Sequence, residues 1–136
     1  MNYWLVKSEP FVWSFEQHMK KGTESWNGVR NYQAANNMKA MKKGDLAFFY
    51  HSNEGKEIVG IVQVAKEYYP DPTDESGKFG MVDFKAVKPL PNPVTLETIK
   101  TTKNLAGMAL LKQSRLSVQP VKKAEWDAIL KMAVNG

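Results

Sequence analysis

Cysteine is absent from the 136 residues, which excludes disulfides, zinc–thiolate sites and thiol nucleophiles. Histidine is almost absent: His18 and His51 are the only two, and they cannot alone make a usual catalytic zinc site, which wants three protein ligands. Neither a metal nor a cofactor is therefore expected. Long apolar runs are missing as well, and the stretches at 45–50 and 58–64 are far too short to span a bilayer. The chain opens as a strand, without the basic region and apolar segment of a signal peptide, so a cytoplasmic address away from membranes is expected. No phosphate loop, Gly-x-Ser-x-Gly elbow or paired dinucleotide glycines occur. Arginine is scarce, since all but Arg30 and Arg115 of the 19 basic residues are lysine. Each of the two therefore marks a place where a planar, bidentate donor has a use.

What is present is ordinary for a globular protein: 43% hydrophobic and 24% charged residues. The length predicts one domain, 1–136, able to bury about two-thirds of its unfolded surface. Nineteen basic against fourteen acidic residues leave a net charge of +5. That excess suits a polyanionic partner such as nucleic acid, or merely keeps a small protein in solution.

Along the chain, Asn2–Lys7 alternates as a strand and Ser8-Glu9-Pro10 stops it. Ser14 and Gln17 form a capping box for a short helix that Gly22 closes. Thr23–Val29 reads as a connection, and Asn31 caps a second helix running to Lys43. Asp45–His51 and Glu57–Tyr69 are strands joined by the turn at 52–55. A Pro/Asp loop with Asp71 and Asp74 as solvent turn residues leads to a strand at Phe79–Val87. Pro89, Pro91 and Pro93 are expected to interrupt the chain before Thr95 caps a helix to about Lys100. Leu116–Val121 is a last strand, and Trp126, Ile129, Leu130, Ala133 and Val134 trace one face of a final helix. About five strands among short helices predict an α+β fold: a curled sheet or small barrel with helices around it.

Three places gather polar and aromatic groups. Trp26-Asn27-Gly28-Val29-Arg30-Asn31 unites an aromatic face, a guanidinium and amides, the mixture by which bases are stacked and their edges read. The residues alone leave Trp26 open between that role and a buried anchor. His51 and Ser52 follow an aromatic strand, where a histidine is either ligand or structural. Ser114 and Arg115 precede the last strand, placed to point into a barrel mouth. Glu9, between a strand and a proline, reads as a turn carboxylate.

The segments Tyr3–Pro10, Trp26–Ala34, Gly44–Ser52, Ile58–Ile61, Tyr69–Pro72 and Ser114–Val121 together resemble the EVE domain family, which includes small bacterial proteins and the thymocyte nuclear protein group. The resemblance implies a PUA-like fold, a small, strongly curved, mixed β-barrel flanked by short helices, and kinship with the YTH domain, which holds a methylated base in an aromatic cage. It puts Trp26 at a pocket wall, with Asn27, Asn31, His51, Ser52, Ser114 and Arg115 at or near its rim. Lys7, Ser8, Glu9 and Arg30 would lie beside it. Relatives commonly carry arginine at the position of Ala35 and a tryptophan within the 70–82 loop; Phe79 is expected to stand in as a cage wall. The function so implied is non-catalytic binding of a modified base, first modified cytosine in DNA and second modified RNA, including transfer RNA. A small hydrolase using Glu9 and Lys7 on a modified nucleoside, and an adaptor with a vestigial pocket, are the alternatives. Trp26, His51 and Arg115 are expected to converge on one pocket.

Overall fold

The computed structural model describes residues 1–135. Its strands are β1 (Tyr3–Ser8), β2 (Thr23–Ser25), β3 (Leu46–His51), β4 (Glu57–Pro70), β5 (Gly80–Thr95) and β6 (Val118–Val121). Its helices are α1 (Phe15–Lys21), α2 (Tyr32–Ala40), α3 (Leu96–Thr101), α4 (Ala109–Lys112) and α5 (Lys123–Asn135), with a 3-10 turn at Lys103–Leu105. The strands form one six-stranded sheet in the order β2-β5-β4-β3-β1-β6. It is mixed, because β1 runs parallel to β3 while the other pairings are antiparallel. The sheet is curved but unclosed, with β2 and β6 at its edges. Register shifts between β3 and β4, and repeatedly between β4 and β5, supply bends, since each irregularity increases local twist.

Alternation along the strands builds two cores. Trp4, Val6, Ala47 and Phe49 enter one cluster with Trp26 and Phe84, beside Phe15 of α1 and Met38 of α2. Leu5, Phe48 and Tyr50 enter the other with Trp126 and Ile129 of α5. A side-chain period of two sends neighbours to opposite faces, and both faces of β1 and β3 are covered. Asp45 ties the start of β1 to the exit of α2: its carboxylate accepts from the Asn2 N–H, the Trp4 indole and the Lys42 N–H.

The capping box on α1 forms as expected, with Ser14 accepting from the Gln17 N–H and Gln17 accepting from the Ser14 N–H. Thr95 caps α3. Other expectations change. The second helix ends at Ala40 rather than Lys43, because Met41 turns extended and Asp45 takes the Lys42 N–H. Thr23–Ser25 is an edge strand on β5 instead of a plain connection. The prolines at 89, 91 and 93 do not interrupt the chain, and β5 runs through them to Thr95. Beyond Ala86 the strand has lost β2 as a neighbour and is paired with β4 alone, so an N–H is dispensable on the open side. The last strand is shorter than expected, and Val134 of α5 is exposed while Trp126, Ile129 and Ala133 are buried.

Candidate nucleic-acid site

The exits of β1 and β2 flank a cavity of about 380 Å³ lined by Lys7, Ser8, Glu9, Val12, Trp13, Glu24, Ser25, Trp26 and Asn27. Its size falls in the range of small-ligand sites, about 300–1,000 Å³. Trp26 is only 8% exposed and is held edge-on by Phe49 and Phe84, each with ring centroids 5.5 Å away. Its backbone N–H donates to the Val82 carbonyl at 2.8 Å. It is thus both a core anchor and a cavity wall, which joins the two roles that its residue type left open.

The second aromatic wall, Trp13, was not singled out in the sequence. Its indole N–H donates to His18 Nδ1 at 3.0 Å, so the His18 proton sits on Nε2 and is donated to the Phe84 carbonyl at 2.8 Å. The His18 ring, fully buried, lies 5.9 Å from the ring of Trp13 and 6.2 Å from that of Trp26. A single histidine therefore bonds Trp13 and packs beside Trp26. The readable signal was a tryptophan just beyond Ser8-Glu9-Pro10 and just before a helix cap.

Much of the polar lining is already engaged. The Ser8 hydroxyl donates to the Trp13 carbonyl, Glu9 accepts from the Asn53 amide, and Glu24 accepts from Lys21 and the Ser25 N–H. The Lys7 ammonium donates to the Ser114 carbonyl at 2.7 Å, and burial lowers its pKa. The Asn27 amide bonds no described residue and is exposed, which leaves both its donor and its acceptor for a ligand.

The predicted site residues are not all brought together. Lys7, Ser8, Glu9, Trp26 and Asn27 share the cavity. Ser52 and Ser114 line a neighbouring hollow of about 230 Å³ with Asn53 and Lys56, and Lys7 belongs to both. Asn31, Ser114 and Arg115 line a third depression with Gln33 and Lys112. His51 sits in none of these; its Nε2 accepts the Phe15 N–H at 3.1 Å, satisfying the first free amide of α1. Asn31 likewise caps α2 through the Ala34 N–H. Trp26, His51 and Arg115 therefore do not meet in one pocket: His51 serves α1, and Arg115 opens onto the depression at the start of α2.

Phe79 packs against Tyr32 with ring centroids 4.9 Å apart, 5.9 Å from the Arg30 guanidinium, outside the lining of the Trp26 cavity. Between them stands Asp71, which is buried rather than a solvent turn residue. Its carboxylate accepts from the Gly28 N–H, Arg30 and Thr73. Burial pushes its pKa up, but these donors outweigh burial and hold it at about 2. Gly28 has φ +80°, a conformation that favours glycine, and so turns its N–H to that carboxylate. The loop is thereby pinned to the Trp26–Arg30 segment.

Burial lowers the pKa of both His18 and His51, and each accepts a hydrogen bond that protonation would abolish. Between the folded pKa and the ordinary 6.5, the unfolded chain binds more protons than the folded one, so stability falls as pH drops. The thermal midpoint should decline as pH falls from 7.5 through 6.5 to 5, well before Asp71 contributes its own loss between 3.8 and about 2. A midpoint flat from pH 7.5 to 5 would contradict the neutral-histidine assignment. Among the described residues no group of His, Cys, Asp and Glu is placed to hold a metal ion, and no helix is long and apolar enough to cross a membrane.

The sequence profile of the EVE domain matches residues 2–132. Rat thymocyte nuclear protein 1 is 38% identical over 96% of this chain and 73% of its own length. The NMR structure of Rpa0253 from Rhodopseudomonas palustris is 59% identical and superposes with a TM-score of 0.94 over 99% of this chain and 94% of that one. Human THYN1, solved in complex with 5-methylcytosine-containing DNA, is 34% identical with a TM-score of 0.93 over 98% of both chains. With nearly its whole length matched in sequence and in fold, this chain belongs to the EVE domain family.

Proposed function

We propose that this protein binds modified cytosine in DNA, without catalysis, in the cavity between Trp13 and Trp26. The observation that carries the reading is that cavity itself, with two indoles, one bonded to and one packed beside the same buried histidine, and a free amide at Asn27. The human relative solved with 5-methylcytosine DNA supports the choice of base. Trp13 and Trp26 would stack the base, worth about 1–3 kcal/mol. Asn27 and Lys7 would meet the base edge, with Ser8, Glu9 and Ser25 as the surrounding polar wall. The neighbouring hollow with Ser52, Lys56 and Ser114, and the depression with Asn31 and Arg115, would take the adjoining phosphodiester backbone. Phe79 and Arg30 belong, in this reading, to the outer surface that the strand crosses. His51 positions α1 and so acts on the site through Phe15 and His18.

A methyl group adds about 0.8 kcal/mol when buried, close to fourfold in affinity. Burial alone thus sets a modest floor on discrimination, and any larger preference must come from shape at the cavity wall. The hydrolase alternative is not favoured, because Glu9 is bonded to Asn53 and Lys7 to the Ser114 carbonyl rather than to each other. The open, aromatic-walled cavity likewise does not favour an adaptor with a vestigial pocket. Modified RNA ranks second as a ligand. A cytoplasmic address remains part of the proposal and is checked by fractionation.

The test is a titration of single-stranded oligonucleotides that differ only in one 5-methylcytosine. At least about fourfold tighter binding of the methylated strand is expected. Equal affinity for the two would overturn the reading.

A further inference from the structure

Phe11 is 84% exposed and Val12 is 71% exposed, next to each other in the turn between β1 and α1. Of the other strongly exposed large apolar residues, Met1 and Val134 lie near the chain ends and Tyr32 leans on Phe79. A single apolar residue on a surface is ordinary, whereas Phe11 and Val12 together form a contiguous apolar tip on a braced turn beside a cavity. The bracing is thorough. The Val12 and Trp13 N–H groups both donate to the Glu9 carbonyl at 2.9 Å, and the Ser8 hydroxyl donates to the Trp13 carbonyl at 2.5 Å. Glu9 is fastened to Asn53 of the turn between β3 and β4, Pro10 restricts the backbone before Phe11, and the Ser14 capping box follows at once. The exposure of Phe11 is therefore built into a fixed turn.

That turn is also the cavity's rim. Glu9, Val12 and Trp13 line the cavity, so Phe11, itself outside the lining and turned to solvent, sits in the chain between lining residues. We infer that Phe11, backed by Val12, is a wedge that enters a DNA duplex and fills the gap left when the target base swings into the cavity. The inference rests on the reading of that cavity as a base pocket. A base leaving a duplex forfeits its pairing and its stacking, and an apolar side chain driven into the vacated step restores stacking for the bases left behind. A single strand has no such gap. The wedge thus identifies double-stranded DNA as the substrate form for which the turn is shaped, and it divides the labour between Trp13 and Trp26, which hold the base, and Phe11, which holds the hole.

The experiment measures wild type and Phe11→Ala against a duplex carrying one 5-methylcytosine and against the same methylated strand alone, by fluorescence anisotropy. Phe11 is almost fully exposed, so the variant should unfold at the wild-type temperature, which is checked first. Phe11→Ala should weaken duplex binding about tenfold or more, the loss of one stacked base, while single-strand binding changes less than about twofold. Phe11→Leu should keep most of the duplex affinity. A mismatch opposite the 5-methylcytosine, which lowers the cost of flipping, should shrink the Phe11→Ala deficit. Equal loss on duplex and single strand would make Phe11 a direct contact to the held base and overturn the wedge. No loss on either would also overturn it, and would leave the apolar tip to a protein partner. If the wild type itself fails to prefer methylated over unmethylated single strand, the pocket reading falls. If that preference stands while the duplex is indifferent to Phe11, only the wedge falls.

Discussion

Trp26→Ala should cost the fold about 3–5 kcal/mol, the range for removing a buried aromatic side chain. The indole fills the angle between Phe49 and Phe84, and the His18 ring lies against it. Truncation would leave a hole beneath the cavity floor and let the Trp13–His18 contact drift. Loss of modified-base binding in this variant would therefore mix lost stacking with lost structure. Trp26→Phe separates the two, because it keeps an aromatic filling and surrenders only part of the stacking face. We expect the phenylalanine variant to retain at least half of the stability lost by the alanine variant, yet to bind the methylated strand more weakly than wild type. Urea unfolding gives the first quantity and oligonucleotide titration the second. A Trp26→Ala protein within about 1 kcal/mol of wild type would mean that the ring is not the anchor described.

Gly60→Ala should destabilise by about 1–3 kcal/mol, as overpacking of a closed core does. Gly60 lies opposite Phe49 in the β3–β4 ladder, and a methyl group there would overlap the Phe15 ring. Phe15 cannot swing aside cheaply: it is 5% exposed and its ring stands edge-on to Phe49 at 5.2 Å. The consequence reaches the site, since Phe15 is the first residue of α1, its N–H is held by His51, and the same helix carries His18. A smaller ring partner should relieve the clash. In a Gly60→Ala, Phe15→Leu double variant the loss should be less than the sum of the two single losses by at least about 0.5 kcal/mol. Strict additivity would show that the strand shifts instead and that Phe15 is not the obstacle.

Local chemistry in this chain was legible wherever it is settled within a few residues. The Ser14–Gln17 capping box and the Thr95 cap are hydrogen bonds between near neighbours, so residue type and spacing suffice to write them down. Asn31 is the instructive case: its type predicted both a helix cap and a base contact, and its oxygen is taken by the Ala34 N–H. The prolines of β5 misled because proline excludes an N–H, not a strand. Whether the N–H is needed depends on which neighbour lies alongside, and past Ala86 none lies on one side. The end of α2 was misjudged for a similar reason, since the lysines favour a longer helix but Asp45, fixed by Trp4, takes the Lys42 N–H.

The amino-acid sequence by itself determined the α+β class, the two-faced strands, the helix caps, the exclusion of thiol chemistry and, through the resemblance, the EVE domain family. The resemblance also put Trp26 and Asn27 beside Lys7-Ser8-Glu9, and these five residues line one cavity. Tertiary structure alone decided that Trp13 is the second wall, that His18 bonds it beside Trp26, and that Asp71 is a buried hub for Gly28 and Arg30. It decided equally that His51 and Arg115 stand outside that cavity. The physical reason is range. Caps and alternation depend on neighbours along the chain, whereas a wall or a buried hydrogen bond depends on which strands the curved sheet sets side by side.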